Sequence, residues 1–167
     1  MSLSMYQASI PVIVRFLERL SAILAKGEAH ATAKKIDPSV FINARLAPDM
    51  FPLSRQVQIA TDVTKGGVAR LAGVEIPSYA DTESSFAELQ ERIKKTIAFV
   101  QGIKAPQIDG SETRTISLKV GGRELSFDGL TYLLNFVMPN LFFHVTTAYD
   151  ILRHNGVELG KGDFLGG

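Results

Sequence analysis

Pro139-Asn-Leu-Phe-Phe-His-Val-Thr-Thr-Ala-Tyr-Asp-Ile-Leu-Arg-His-Asn-Gly156 reads as the second half of a long apolar helix. Its pattern extends back to Gly129, with Asp128 as the cap before it and Asn155-Gly156 as the stop. At 100° per residue, Leu133, Phe136, Val137, Asn140, His144, Thr147, Ala148 and Ile151 share one face. An amide and an imidazole, four residues apart, therefore interrupt an apolar stripe. Polar groups are costly to bury there, so they need a partner, a pocket or a metal. Pro139 cannot donate to the carbonyl of Asn135, and its ring clashes with that group, so the helix should bend there. A bend beside an inward imidazole is one way to open a pocket. The plainer reading is a buried His bonded to a neighbour, with Asn140 satisfying a freed backbone group.

Three further long helices precede this one. Tyr6, Ile10, Ile13, Phe16, Leu17, Leu20 and Leu24 recur at three- and four-residue steps, predicting a first helix over 4–26 with Pro11 inside it and Gly27 as its stop. A polar connector over 28–37 leads to a short helix opened by Asp37-Pro38 and running to Arg45. Pro52 opens the second long helix, which reaches Gly73 with Leu53, Val57, Ala60, Thr64, Val68 and Leu71 on one face. Gly66-Gly67 marks either a close helix contact or a bend. A third helix spans 84–101, with Phe86, Leu89, Ile93, Ile97 and Val100 inward. The period then falls from 3.6 to 2. Ile116, Leu118 and Val120, then Leu125 and Phe127, flank Gly121-Gly122 as a β-hairpin. Two strands alone are marginally stable, so the hairpin must pack on the helices. The expected fold is all-α: a four-helix bundle with a short β-hairpin between the third and fourth long helices. It forms a single domain over 1–167, of which 157–167 is an irregular tail.

Bulk properties narrow the function classes. The 167 residues carry 18 Lys and Arg against 17 Asp and Glu, a net charge of +1, with the basic residues scattered. That balance gives no pull toward nucleic acid or anionic lipid. There is no cysteine, which excludes disulfides, thiolate-bound zinc and a cysteine nucleophile. The first residues lack a basic leader region. The apolar run after them is broken by Arg15, Glu18 and Arg19, so neither a signal peptide nor a membrane span is expected. A cytoplasmic location follows as the default.

His154 lies about 280° around the helix from His144 at 100° per residue and reads as surface. His30 falls in the polar connector. The three histidines therefore make no spacing-based metal motif. Gln58 and Asp62, one turn apart on the second long helix, sit beside its apolar stripe, where a solvated face explains them. No phosphate-binding loop or nucleophile signature is present, and although acidic pairs occur, nothing in the sequence fixes two carboxylates across a cleft.

The order of elements, and especially His144-Val-Thr-Thr-Ala-Tyr-Asp-Ile-Leu-Arg153 followed by Asn155-Gly156, resembles the DinB/YfiT-like superfamily of four-helix bundles. The likeness is nearest to an uncharacterised bacterial branch known as a domain of unknown function. It includes Ser4-Met-Tyr6 and Asn140-Leu-Phe-Phe-His144 and covers nearly the whole chain. Metal-binding members carry three histidines, one from the second helix and an H-x-x-x-H pair on the last. Some are thiol-dependent transferases or isomerases, and many dimerise. The resemblance places the second histidine of the pair on His144 and the first on Asn140. The second-helix ligand falls on Gln58, or on Asp62 in a neighbouring register. An amide oxygen is a poor substitute for imidazole at a transition metal.

The resulting expectation is a non-catalytic helical bundle with a degenerate metal site, binding a small molecule in its cleft or pairing as a homodimer. No cofactor is expected beyond a weakly held divalent ion, zinc or nickel, at His144, Asn140, Gln58 and Asp62. The alternative is a divalent-metal-dependent enzyme of the thiol-transferase or isomerase type.

Overall fold

The computed structural model describes residues 3–166; Met1, Ser2 and Gly167, the ends of the expected domain, lie outside the described residues. The chain is mostly helical, with one small two-stranded antiparallel sheet. In order, the elements are α1 (Met5–Lys34), α2 (Pro38–Ile42), α3 (Leu53–Ala72), α4 (Phe86–Gly102), α5 (Ala105–Ile108), β1 (Ile116–Val120) and β2 (Arg123–Phe127). They are followed by α6 (Gly129–Tyr132), a π-helical segment (Leu133–Val137), α7 (Met138–His154) and α8 (Lys161–Leu165). Among the four long helices, α1 packs on α4 and α7, and α3 packs on the same two. Their apolar stripes meet in one core that includes Ile13, Leu17, Leu20, Val57, Leu89, Val145 and Leu152. Among the described residues, no helix is long and apolar enough to cross a membrane.

The first helix is longer than the stripe suggested. Gly27 does not end it; the residue is buried, and a side chain there would meet Leu152 of α7 at 3.0 Å. The 28–34 part of the expected connector is Ala- and Lys-rich, a composition that favours helix, and α1 runs through it to a left-handed cap at Lys35. Its start is fixed by a capping box between Ser4 and Gln7. Pro11 is accommodated within this helix.

The last long helix is interrupted rather than simply bent. Five residues before Pro139 wind as a π-helix, and α7 resumes with Pro139 in its first turn, where the missing N–H is tolerated. Of the face expected for this helix, Leu133, Val137, His144, Thr147, Ala148 and Ile151 are buried, while Phe136 and Asn140 are half-buried. Across from this segment Gly67 of α3 is buried. A Cβ there would lie 2.7 Å from Val137 Cγ2. Gly66-Gly67 is thus a close helix contact and not a bend.

The hairpin pairs Ile116 with Phe127 and Val120 with Arg123, closed by Gly121-Gly122 at positive φ, the two-residue turn its sequence signals. The tail is not irregular throughout. Val157 and Leu159 are buried, and α8 docks on α1 through Phe164 against Phe16 and an ion pair between Lys26 and Asp163.

The two adjacent glycines should respond oppositely to a methyl group. Gly67→Ala forces Val137 and the π-helical segment aside and should cost about 1–3 kcal/mol. At Gly66 the added Cβ meets only the end of the Arg70 side chain. Gly66→Ala should therefore be neutral or gain up to about 1 kcal/mol of helix propensity. Urea denaturation of both variants reads the difference; equal losses would contradict the contact.

Candidate functional site

Two polar clusters lie on the α3 side of the molecule. The first joins α3 to α7. His144 is 8% exposed and Gln56 is 1% exposed, and His144 Nδ1 lies 2.7 Å from Gln56 Oε1. The amide of Gln56 is oriented from its other end, where Nε2 donates to the Phe51 carbonyl at 3.0 Å. Its oxygen therefore faces the ring, and Nδ1 carries the ring proton. Burial, with a smaller contribution from the charge of Arg55, lowers the His144 pKa to about 4. The ring is neutral at pH 7. Its Nε2 lone pair has no hydrogen-bond partner among the described residues. The Phe143 ring meets His144 edge-on at 5.1 Å. Phe143 and Phe51 are exposed at 55% and 56%.

The second cluster centres on Arg92 of α4. It is 3% exposed, on a helix face that also buries Thr96. Its Nε donates to Thr61 Oγ1 at 2.7 Å, and Nη2 to Asp62 at 2.7 Å. Nη1 reaches Glu83 at 2.9 Å, Asp81 at 3.0 Å and the Ala80 carbonyl at 3.1 Å. Arg55 of α3 bonds both Asp81 and Gln58, and Gln58 donates to Glu83 at 2.9 Å. Tyr79 covers Lys65 and Arg92, and Lys65 pairs with Asp62 at 2.8 Å. Burial opposes charge on Glu83, yet the hydrogen bonds from Arg92 and Gln58 hold its carboxyl below the ordinary range. For Arg92 burial also opposes charge, and the carboxylates outweigh it.

The four residues expected at one site divide between these clusters. His144 turns to Gln56. Asn140 Nδ2 donates to the Phe136 carbonyl at 2.6 Å, beside the π-helical segment. Gln58 and Asp62 belong to the Arg92 network: Gln58 is buried against Glu83, while Asp62 pairs with Lys65 and Arg92 and keeps a part-exposed side chain. Gln56 and Arg92 were not visible as site residues in the sequence. Gln56 lies one residue after Arg55 in a run that reads as surface, and a lone Arg at position 92 looks like a solvated helix residue. A signal for Arg92 existed in hindsight of the stripe alone: with Leu89, Ile93 and Thr96 it falls on the inward side of α4.

A metal centre asks for several converging donors with open lone pairs. Here one imidazole nitrogen meets that description. Among the described residues, no group of three His, Asp or Glu could hold an ion. The donors of Gln58 and Asp62 are bound to guanidinium, ammonium and amide partners. The residues present do not fit a three-ligand centre.

Residues 5–165 match the family model described as "Domain of unknown function (DUF1993)". The chain is also similar to a solved protein from Shewanella denitrificans, described as a DinB family member at 1.83 Å resolution. That likeness has 42% sequence identity and a TM-score of 0.87, and covers 97% of this chain and 92% of the other. No curated protein matches the chain.

Two measurements test the clusters. In the unfolded chain His144 titrates near pH 6.5, and in the folded chain near 4. The unfolded state therefore binds more protons between these values. The contribution is complete above pH 6.5 and is lost as pH falls toward 4. Between pH 7.5 and 4.5 wild type should lose roughly 2–3 kcal/mol more than His144→Asn, whose amide does not titrate. Denaturation midpoints at both pH values read this, and parallel losses would refute the neutral buried imidazole. Arg92→Met leaves three carboxylates facing an apolar side chain and should cost about 3–5 kcal/mol; a loss under 1 kcal/mol in the same assay would show the network to be peripheral.

Proposed function

We infer for this chain, which belongs to the DUF1993 family, a non-catalytic binding role on a four-helix bundle of the DinB type, with the hairpin between its third and fourth long helices. An imidazole–amide pair joins α7 to α3, and the ligand is a small organic molecule that donates a hydrogen bond to His144 Nε2. One observation carries this reading: Gln56 accepts a hydrogen bond from the Nδ1–H of a neutral His144, leaving Nε2 as a single acceptor lone pair on a ring that meets the exposed Phe143 edge-on. Such an acceptor with apolar surroundings suits a phenol-like or hydroxyl-bearing compound. It lacks the set of charged groups that acid–base or metal chemistry requires.

A second reading rests on the same tautomer. Metal-bound histidines donate the proton of one ring nitrogen to an oxygen and coordinate through the other. His144 has that orientation, so a divalent ion completed by water and small-molecule donors is the alternative, with a thiol-transfer type of chemistry.

Metal analysis of untagged protein, wild type beside His144→Ala, separates the two. The binding reading expects metal well below stoichiometric in both, and saturable phenol-induced changes in the His144 ring resonances. Near-stoichiometric zinc or nickel in wild type, absent from His144→Ala, would overturn it in favour of the metal reading.

A further inference from the structure

We propose that Arg55 and Arg92 form a carboxylate- or phosphate-binding clamp, and that Asp81 occupies it as a built-in stand-in for a small oxyanion ligand. This inference concerns the second cluster and is independent of any ligand at His144.

The geometry at Asp81 is that of a bridged anion. One carboxylate oxygen lies 3.0 Å from Arg92 Nη1, and the other is bound by Arg55 Nη1. The two guanidiniums come from different helices, α4 and α3, and each takes its own oxygen. Guanidinium donors bind planar carboxylates and phosphates through such paired contacts. Arg92 is also preorganised. Its remaining donors are fixed by Thr61, Asp62 and Glu83, so little ordering is needed when an anion arrives.

Asp81 is the replaceable member. Its side chain is 41% exposed, against 2% for Arg92. It sits in the segment 75–85, which has no regular secondary structure and no fully buried side chain. The segment is fastened mainly by polar contacts, through Tyr79, Ala80, Asp81 and Glu83. An exposed ion pair of this kind is worth little and competes with solvent and dissolved ions. If Asp81 swings out, Arg55 Nη1 and Arg92 Nη1 lose the carboxylate they share, while Arg92 keeps Asp62 and Glu83. The two donors are then open to another oxyanion.

Space for the body of a ligand adjoins the clamp. A cleft of about 340 Å³ is lined by Arg92 and Lys95 together with Glu83, Glu88 and Glu91. That volume falls within the range of small-molecule sites. Lys95, on the cleft wall, makes no ion pair among the described residues and would meet a second negative group. A carboxylate or phosphate on a small body that carries hydroxyl or amino donors for the three glutamates matches this arrangement.

Calorimetric titration of the full chain at low ionic strength tests the clamp, with succinate and inorganic phosphate as probes and chloride as the control. Asp81→Asn should bind succinate or phosphate at least tenfold more tightly than wild type. Adding Arg55→Gln to that variant should return it to wild-type affinity. Saturation by succinate supports a carboxylate ligand, and saturation by phosphate alone a phosphorylated one. Absence of saturable binding by either probe, or a double variant as tight as Asp81→Asn, overturns the proposal. Should Asp81→Asn not fold, hydrogen exchange of wild type provides the readout. Residues 78–83 should then lose protection as succinate or phosphate, but not chloride, is added; no change with either probe overturns the proposal.

Discussion

A guanidinium placed between two helices must have its counter-charges beside it, and Arg92 sets that condition for one side of this molecule. The cost of removing its charge from water is offset only where partners satisfy its donors. Thr61 and Asp62 supply two from α3, which fixes the rotation of α3 against α4. Ala80, Asp81 and Glu83 supply the rest, which holds the segment 75–85 across the helix pair. Without these bonds nothing apolar in that segment would keep it there. The same arrangement recruits Lys65, Tyr79, Arg55 and Gln58, so side chains that would otherwise be solvated surface become one connected layer.

The opposite approach to burial operates at His144. There the charge is removed rather than paired. Gln56 accepts from the ring and donates to a backbone carbonyl, which leaves the ring's Nε2 without a hydrogen-bond partner among the described residues. The π-helical segment before Pro139 determines which part of α7 reaches α3, and Gly67 allows the approach.

Helix spacing is a local property, and it was legible. The stripes of α1, α3 and α4 predicted the apolar centre of each buried face, though Tyr6, Phe16 and Ile97 are only half-buried and α3 also buries Gln56, Gln58, Thr61 and Lys65; Gly121-Gly122 between alternating runs announced the hairpin. What the chain did not disclose depends on neighbours distant in sequence. Gly27 looks like a stop until Leu152 is seen pressed against it. Pro139 signals disruption, but only the packing of Val137 on Gly67 shows that a wider turn, not a kink, absorbs it. The regular projection matches the buried Leu133, Val137, His144, Thr147, Ala148 and Ile151, and departs at Phe136 and Asn140, which are half-buried. Gln58 and Asp62 stand out as a pair, yet the partners that bind them from outside α3, Glu83 before α4 and Arg92 within it, lie more than twenty positions away. Nothing in the spacing of α3 could reveal that Gln56 is the residue that meets His144.

The long reach of α1 has a consequence for how the chain is made. Its inner face is completed by α4 and α7, and its outer edge by α8, so the first helix is finished only by the last. More than a hundred residues separate them. At a synthesis rate of about 5–20 residues per second, Ile13, Leu17 and Leu20 wait on the order of ten seconds outside the ribosome before their final neighbours emerge. During that interval an apolar helix stands without its cover. The sequence thus places a demand on the folding environment at its very start, whatever the finished protein binds.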